Sequence, residues 1–356
     1  MRWPAYPSRG RWLGWAALAA ALPLALSAQG TPWQALATGS RASLRGLSVV
    51  NDRVVWASGS GGTVLRTVDR GLHWEALPVP GAERLDFRDI KAFSAQVAYA
   101  MAIAQSGGIY KTTDGGRHWT RQYASNAPGF FLDSLAFWDA RHGLALGDPE
   151  DGHFLVLRTE DGGAHWTPVE TPPTARADEG AFAASGSALV AVQRGGKHEA
   201  WFATGGPGSG RVFHTADGGY AWTVVTSPLS GATAGAGIFS LAFADARHGV
   251  AVGGDYTHPG DTARTAAYSR DGGRTWQAAT IAPTGYRSGV TFLPGGSILV
   301  AVGPNGTDVS RDGGSTWVRI APQGFNAVAA RGADIWAAGS RGAIARMVAA
   351  ALGPGR

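Results

Sequence analysis

The chain has 356 residues, with 53 glycines, 14 tryptophans, no cysteine and a formal net charge of +5. The absence of cysteine excludes a disulfide framework and a lipoprotein anchor. Once the first 28 residues are set aside, 28 basic side chains stand against 26 acidic ones, and no basic run remains that would favour nucleic acid. Abundant glycine with few long amphipathic periods predicts β-structure rich in turns.

The N-terminal segment has the pattern of a secretory signal. Arg2, Arg9 and Arg11 precede an uncharged apolar run, residues 13–26, which ends in small residues. Because this run is short for a membrane span, we predict a signal peptide over residues 1–28 and one mature domain over residues 29–356. The protein is then periplasmic or secreted, with no stable membrane span after cleavage. The alternative is an uncleaved N-terminal anchor.

One short motif recurs six times along the mature chain. It has the form S/T-x-D-x-G-x-x-W, as in TTDGGRHW at 112–119, and successive copies lie 41 to 56 residues apart. Its aspartates and tryptophans are Asp69, Trp74, Asp114, Trp119, Asp161, Trp166, Asp217, Trp222, Asp271, Trp276, Asp312 and Trp317. Recurrence at this spacing predicts propeller blades of about four strands each. An open β-solenoid is the alternative, although such uneven units fit regular stacking poorly.

The units differ in two places and the last one is incomplete. Extra residues in the fourth unit, 185–197, are predicted to lengthen the turn between its first two strands. Extra residues in the fifth unit, 254–265, are predicted to lengthen the loop between its second and third strands. The final unit, 325–347, lacks both the motif and a fourth strand. Since WQAL at 33–36 repeats WEAL at 74–77, the N-terminal strand is predicted to pair with this last blade. The expected fold is all-β, a closed seven-bladed β-propeller.

The aspartate motif is interpreted as a structural turn. An aspartate can accept hydrogen bonds from backbone N–H groups of its own turn, and the following glycines allow positive φ. The tryptophan then lies on the next strand as a packing group between blades. Because six copies spread around a ring cannot form one catalytic pair, no catalytic residue is predicted among them.

The histidines do not show a metal-binding spacing. His73, His118 and His165 precede tryptophans on separate blades, and no H-E-x-x-H or His-x-His pair occurs. Three others, His142, His198 and His248, fall at matching turns and are interpreted as turn formers. No metal site and no cofactor are predicted.

The candidate site is the mouth of the central channel, where the innermost strand of each blade begins, opposite the aspartate turns. Aligning the units on their first strand places these residues there: Arg45, Arg88, Asp133, Glu179, Phe239, Arg287 and Asn326. Loops between second and third strands add Asp148, Glu150, Asp151, Asp255, Tyr256 and His258. Charged groups that converge in a concavity are the place to look for binding or catalysis.

The repeats resemble the Asp-box, or bacterial neuraminidase repeat, of sialidases, other glycosidases and sortilin-type receptors. Units such as FADARHGVAVGG followed by YSRDGGRTW resemble more specifically the photosystem II stability/assembly factor family, over about residues 33–347. This resemblance implies a propeller whose Asp-box turns are structural and lie away from the ligand face. It also implies a non-catalytic role in protein binding or assembly.

Three functions of the channel mouth remain open. Its charged residues can pair with one another and only solvate the channel, or they can bind a protein segment or an anionic or carbohydrate ligand through arginine forks. The third is a sialidase-like glycosidase, for which the candidates are Arg45, Arg88, Arg287, Tyr286 and Glu179. Against this enzyme, the sequence has no F/Y-R-I-P segment. We expect a binding or assembly module with a protein partner.

Overall fold

The computed structural model describes residues 31–104 and 106–353, so the predicted signal peptide lies outside the described residues. The described chain forms 28 strands in seven antiparallel four-stranded sheets. Two short 3-10 helices, Ser340–Gly342 and Ala349–Leu352, are the helices of this part of the chain. Neither has the length and apolarity of a membrane span. The predicted all-β, seven-bladed fold is confirmed.

Each sheet is one blade, and first strands of neighbouring blades contact one another around the centre. Blade one contains β2 (Leu44–Val49), β3 (Val55–Gly59), β4 (Thr63–Thr67) and β5 (Glu75–Ala76). Blade two contains β6 (Phe87–Ala92), β7 (Ala98–Ala102), β8 (Gly108–Thr112) and β9 (Thr120–Tyr123). Blade three contains β10 (Leu132–Phe137), β11 (Gly143–Glu150), β12 (His153–Thr159) and β13 (Thr167–Pro168).

The next three blades follow the same order. Blade four contains β14 (Leu189–Arg194), β15 (Lys197–Ala203), β16 (Gly208–Thr215) and β17 (Thr223–Gly231). Blade five contains β18 (Ala236–Phe243), β19 (Gly249–Asp255), β20 (Ala266–Ser269) and β21 (Gln277–Ala278). Blade six contains β22 (Gly289–Phe292), β23 (Leu299–Gly303), β24 (Gly306–Ser310) and β25 (Val318–Ala321).

The seventh blade combines the two ends of the described chain. Its strands are β26 (Ala327–Arg331), β27 (Asp334–Ala338), β28 (Ile344–Val348) and, outermost, β1 (Gln34–Leu36). In this pairing Ala35 of β1 lies opposite Ala345 of β28. Blade seven also bonds to blade one, since Asn326 Nδ2 donates to the Leu44 carbonyl at 2.9 Å. These contacts agree with the predicted closure of the ring by the N-terminal strand.

The Asp-box turns have the internal hydrogen bonds that their sequence predicts. Oδ1 of Asp114 accepts hydrogen bonds from the Thr112 hydroxyl and the His118 N–H, both at 3.0 Å. The Thr112 oxygen in turn accepts from the Gly116 N–H at 2.8 Å, with Gly116 at φ +87°. Each turn follows the third strand of its blade, so it lies on the face opposite the start of the first strand.

The Asp-box tryptophans pack in the seams of the ring. Trp119 of blade two meets Trp56 of blade one edge-on, with ring centroids 6.4 Å apart. Trp74 of blade one meets Trp336 of blade seven in the same way at 6.3 Å. Such pairs bury large apolar surfaces at the blade junctions, and the structural role predicted for the motif explains these contacts.

Asp271→Ala tests the structural role of an Asp-box. Oδ1 of Asp271 accepts from the Ser269 hydroxyl at 2.8 Å and the Thr275 N–H at 2.9 Å. Partial burial acts to raise the pKa of Asp271, but the hydrogen bonds to its carboxylate have the larger combined effect. The pKa therefore lies below its ordinary value. We expect the variant to lose about 1 kcal/mol of unfolding free energy at pH 7, as for a lost helix cap.

The pH dependence of this loss follows from the lowered pKa. A carboxyl group whose pKa is lower in the folded state stabilises the fold above its unfolded pKa, and the effect disappears as pH falls through the folded value. Urea unfolding of Asp271→Ala and wild type should therefore differ less at pH 2 than at pH 7. Asp261→Ala, on an exposed loop, is the control. An equal loss at both pH values would contradict the interpretation.

The two predicted insertions have different outcomes. The fifth-unit insertion lies where expected, between β19 and β20. The prediction for the fourth unit is wrong, because β14 and β15 are joined by a tight turn at Gly195 and Gly196. The extra residues instead precede β14, and this segment changes the shape of the channel.

Candidate functional site

β-Bulges position the side chains at the channel mouth. In blades one, two, three and five, the pairing of the first two strands shifts by one residue near the start of the first strand. The residues at the shift are Arg45, Arg88, Asp133 and Phe239. A bulge leaves one residue outside the regular ladder and redirects its side chain. The described first strands of the other three blades pair with their second strands without such a shift.

A segment of blade four, residues 183–187, crosses the centre of the ring; we call it the plug. Its carbonyl oxygens accept hydrogen bonds from Arg88 to Ala183 (3.0 Å), from Arg45 to Ala184 (3.3 Å) and from Lys91 to Gly186 (2.7 Å). Its serines bond to the Ser288 carbonyl (2.6 Å) and the Ser240 hydroxyl (2.7 Å). These partners belong to blades one, two, five and six. The plug therefore lies on the axis and closes the channel below its mouth.

The closed mouth is a bowl of about 610 Å³. Its floor is the plug, and its walls include Arg45, Arg88, Asp148, Phe182, Phe239, Tyr256, Tyr286, Ser288 and Asn326. One wall is aromatic: Phe182 stacks on Phe239 with centroids 3.8 Å apart, and Tyr286 meets Phe239 edge-on at 4.7 Å. Tyr256 extends this wall toward solvent and is 55% exposed. The bowl is thus apolar on one side and cationic on the other.

Arg45 and Arg88 form the cationic side. Arg88 Nε donates to Asp86 at 2.6 Å, whereas Arg45 has no carboxylate partner within ion-pair distance among residues 31–104 and 106–353. Burial, followed by the charge of Arg88, lowers the pKa of Arg45. A guanidinium nevertheless stays protonated in proteins. Arg45 is therefore a half-buried cation without a direct carboxylate contact in the described chain, and the charge of Asp86 compensates it only from a distance.

The two acids of blade three have unfavourable surroundings for ionisation. Asp133 is fully buried, and neither of its oxygens has a well-formed hydrogen bond; the Ala183 N–H gives it only weak support. Burial, followed by the charge of Asp148, raises the pKa of Asp133 well above its ordinary value. Burial also raises the pKa of Asp148, whose Oδ1 accepts from the Ala181 N–H at 3.2 Å. Asp148 lines the bowl, and Asp133 lies beneath its surface.

Other predicted residues lie outside the bowl. Glu179 is buried in an ion pair with Arg211 and receives the Thr204 hydroxyl at 2.6 Å. Arg287 is fully buried and bonds to Asp308, with its Nε 2.6 Å from Oδ2. The set proposed for a sialidase-like site is therefore not brought together: Arg45, Arg88 and Tyr286 share the bowl, while Arg287 and Glu179 are engaged elsewhere.

The remaining predicted residues have local partners. Asp255 accepts hydrogen bonds from Thr257 and Thr233, and His258 Nδ1 lies 3.2 Å from its Oδ2. Although burial raises the pKa of Asp255, these donors hold it well below its ordinary value. Asn326 lines the bowl while its amide bonds to blade one. Burial raises the pKa of Tyr286 far above that of free tyrosine, so its hydroxyl remains protonated.

Sequence reasoning missed Phe182, Ala183 and Ala184, because the fourth unit was aligned on the wrong residues. A signal for the bulges is nevertheless present. In each bulged strand, buried apolar residues lie three positions apart, as in Leu44 and Leu47 or Phe87 and Ile90. A regular strand puts residues of one face two or four apart, so a spacing of three indicates one extra residue.

Comparison with known proteins agrees with this fold. Residues 267–278 match the family model of the BNR/Asp-box repeat. None of the curated protein sequences matches the chain significantly. A structure of YCF48 bound to a D1 peptide is similar with a TM-score of 0.63 and 16% identity, over 89% of this chain and 97% of that one. The structure of YCF48 from Cyanidioschyzon merolae is similar with a TM-score of 0.61 and 18% identity, over 89% of this chain and 99% of that one.

An enzyme also shares the architecture. An ancestral GH74 enzyme is similar with a TM-score of 0.64 and 13% identity, over 88% of this chain and 46% of its own length. Identities this low indicate a common fold and leave function to the site. The chain is therefore an Asp-box β-propeller whose fold resembles that of the YCF48 structures, as its repeat pattern predicted.

Proposed function

We propose that this propeller is a non-catalytic binding or assembly factor that holds an extended protein segment in the bowl. The observation that carries the proposal is Arg45, a half-buried guanidinium without a carboxylate partner in the described chain. A carboxylate of the bound segment would supply the missing counter-ion. Charge-assisted hydrogen bonds from arginine to carboxylate are short and strong.

The aromatic wall favours a peptide, rather than a small anion, as the ligand of the bowl. The accessible aromatic rings in the bowl are those of Phe182 and Tyr256. Both pack on Phe239, which is only 2% exposed. A segment with an apolar side chain next to a carboxylate matches both walls at once. Similar propellers include a YCF48 structure that holds a D1 peptide, which supports this mode of use. The client of this chain is then a periplasmic or secreted protein, since residues 1–28 have the signal pattern.

Peptide selection from a random displayed library tests the proposal, with affinities of selected peptides measured by fluorescence polarisation. Arg45→Met should weaken binding by roughly 10- to 100-fold, which corresponds to the loss of a charged hydrogen bond. Replacing the acidic group of the peptide by an amide should have a similar effect. Arg331→Met is the matched control, because Arg331 is exposed at the opposite end of an inner strand.

Two results would contradict the proposal. If the selected peptides bound Arg45→Met and Arg331→Met with equal affinity, Arg45 would not contribute to binding, and the peptide site would lie outside the bowl. Turnover of fluorogenic sialosides or β-glucosides by the purified protein would instead favour the glycosidase. The amide peptide leaves the protein unchanged, so its weaker binding separates loss of the charge contact from any effect of Arg45→Met on folding.

A further inference from the structure

Three side chains that can bind a metal meet on the face opposite the bowl. Asp139 and His142 lie in the turn between β10 and β11 of blade three, and His198 lies in β15 of blade four. One ligand atom of each residue lies within 4.8 Å of the other two. Among residues 31–104 and 106–353, they form the one such group of three histidine, cysteine or acidic residues. Chain spacing could not indicate the group, because its members come from different blades.

The turn orients the carboxylate of Asp139. Oδ1 accepts hydrogen bonds from the N–H groups of Arg141 at 2.7 Å and His142 at 2.8 Å. Oδ2 is directed at both imidazoles, 2.9 Å from His142 Nδ1 and 3.9 Å from His198 Nε2. The turn therefore fixes the direction of the carboxylate toward the two imidazoles.

The histidines are held in place yet reachable from solvent. The His198 ring stacks on Trp138 with centroids 4.9 Å apart and an interplanar angle of 14°. The His142 ring lies beside it, also at 4.9 Å. The side chains of Asp139, His142 and His198 keep 34%, 33% and 26% of their surface exposed. An ion from solution can reach the cluster without unfolding the blade junction.

We propose that Asp139, His142 and His198 bind a divalent transition-metal ion, with Zn²⁺ as the best-fitting ion. Two imidazoles and one carboxylate are a common zinc ligand set, whereas calcium and magnesium prefer oxygen ligands alone. Zinc bonds of about 2.0–2.2 Å place two ligand atoms roughly 3.4 Å apart in a tetrahedron. The observed 3.9 Å between Asp139 Oδ2 and His198 Nε2 must shorten by about 0.5 Å, and the 2.9 Å between Asp139 Oδ2 and His142 Nδ1 must lengthen by a similar amount. The ion would join blade three to blade four.

Titration of the tag-free protein with ZnCl₂ by isothermal calorimetry tests this site. We expect saturable binding of one ion per chain, and His198→Gln should weaken it roughly tenfold or more, since it removes a direct ligand. Zinc should also raise the melting temperature of wild type, because it binds the folded state.

Blade five contains a matched control for this experiment. Its turn has the same internal contacts: the N–H of His248 donates to Asp245 Oδ1 at 2.8 Å, and His248 Nδ1 lies 2.9 Å from Oδ2. No third ligand of the described chain completes this group, so His248→Gln should leave zinc binding unchanged. Equal affinity of wild type and His198→Gln, or the absence of saturable binding, would overturn the proposal. If His198→Gln fails to fold, His142→Gln tests the same prediction.

Discussion

Asp308→Ala should lower the free energy of unfolding by about 3–5 kcal/mol, because it leaves the guanidinium of Arg287 buried without its counter-ion. Both side chains are 0% exposed. Asp308 Oδ2 lies 2.6 Å from Arg287 Nε, and its Oδ1 accepts from the Thr284 hydroxyl at 3.1 Å. Burial lowers the pKa of Arg287, although the carboxylate of Asp308 opposes the shift. Urea denaturation at neutral pH measures the loss.

Two further variants show whether burial causes this effect. Asp52 pairs with Arg70 at 2.5 Å, but about half of each side chain is exposed. Asp52→Ala should therefore cost less than about 1 kcal/mol, as for other surface ion pairs. The double variant Arg287→Met, Asp308→Leu removes both charges and should recover much of the lost stability. Equal losses in Asp308→Ala and Asp52→Ala would refute the argument.

Gly186→Ala should also be strongly destabilising, by roughly 2–5 kcal/mol, from backbone strain together with overpacking. Gly186 lies in the plug at φ +68°, and a Cβ there would lie 2.1 Å from Asp89 Oδ1. Asp89 cannot move away, since its oxygens bond to Lys91 at 2.9 Å and the Leu135 N–H at 2.7 Å. The change should also disturb the floor of the bowl and weaken peptide binding.

Gly195→Ala separates strain from overpacking. Gly195 is in the same blade at φ +54°, and a Cβ there would meet nothing within 4 Å. Gly195→Ala adds backbone strain without overpacking, so it should lower the free energy of unfolding by about 1–2 kcal/mol. Thermal and urea unfolding of both variants provide the comparison. If Gly186→Ala were no less stable than Gly195→Ala, the plug would not be packed against Asp89 as described.

Arg45 and Arg88 could be placed at the mouth from sequence because each follows the first apolar residue of a regular unit. Alignment of such units assigns equivalent positions, and the bulges then put both side chains in the bowl. Arg287 has a similar apparent position, but β22 begins two residues after it, at Gly289, and carries no bulge. Its side chain therefore turns into the protein and pairs with Asp308. That partner lies in a different strand, so sequence alignment could not identify it.

The six Asp-boxes determined the repeat and the role of their own turns, because each turn depends on residues within a few positions of one another. The count of seven blades needed in addition the incomplete last unit, 325–347, and the N-terminal strand that completes it. The plug, the separate ion pairs of Arg287 and Glu179, and the meeting of His142 with His198 could be seen only in the tertiary structure. Each of these brings together residues from different strands or blades, so their distances depend on how the strands pair and how the blades pack. Local hydrogen bonding specifies each Asp-box turn, whereas contacts between blades specify the bowl and the candidate metal site.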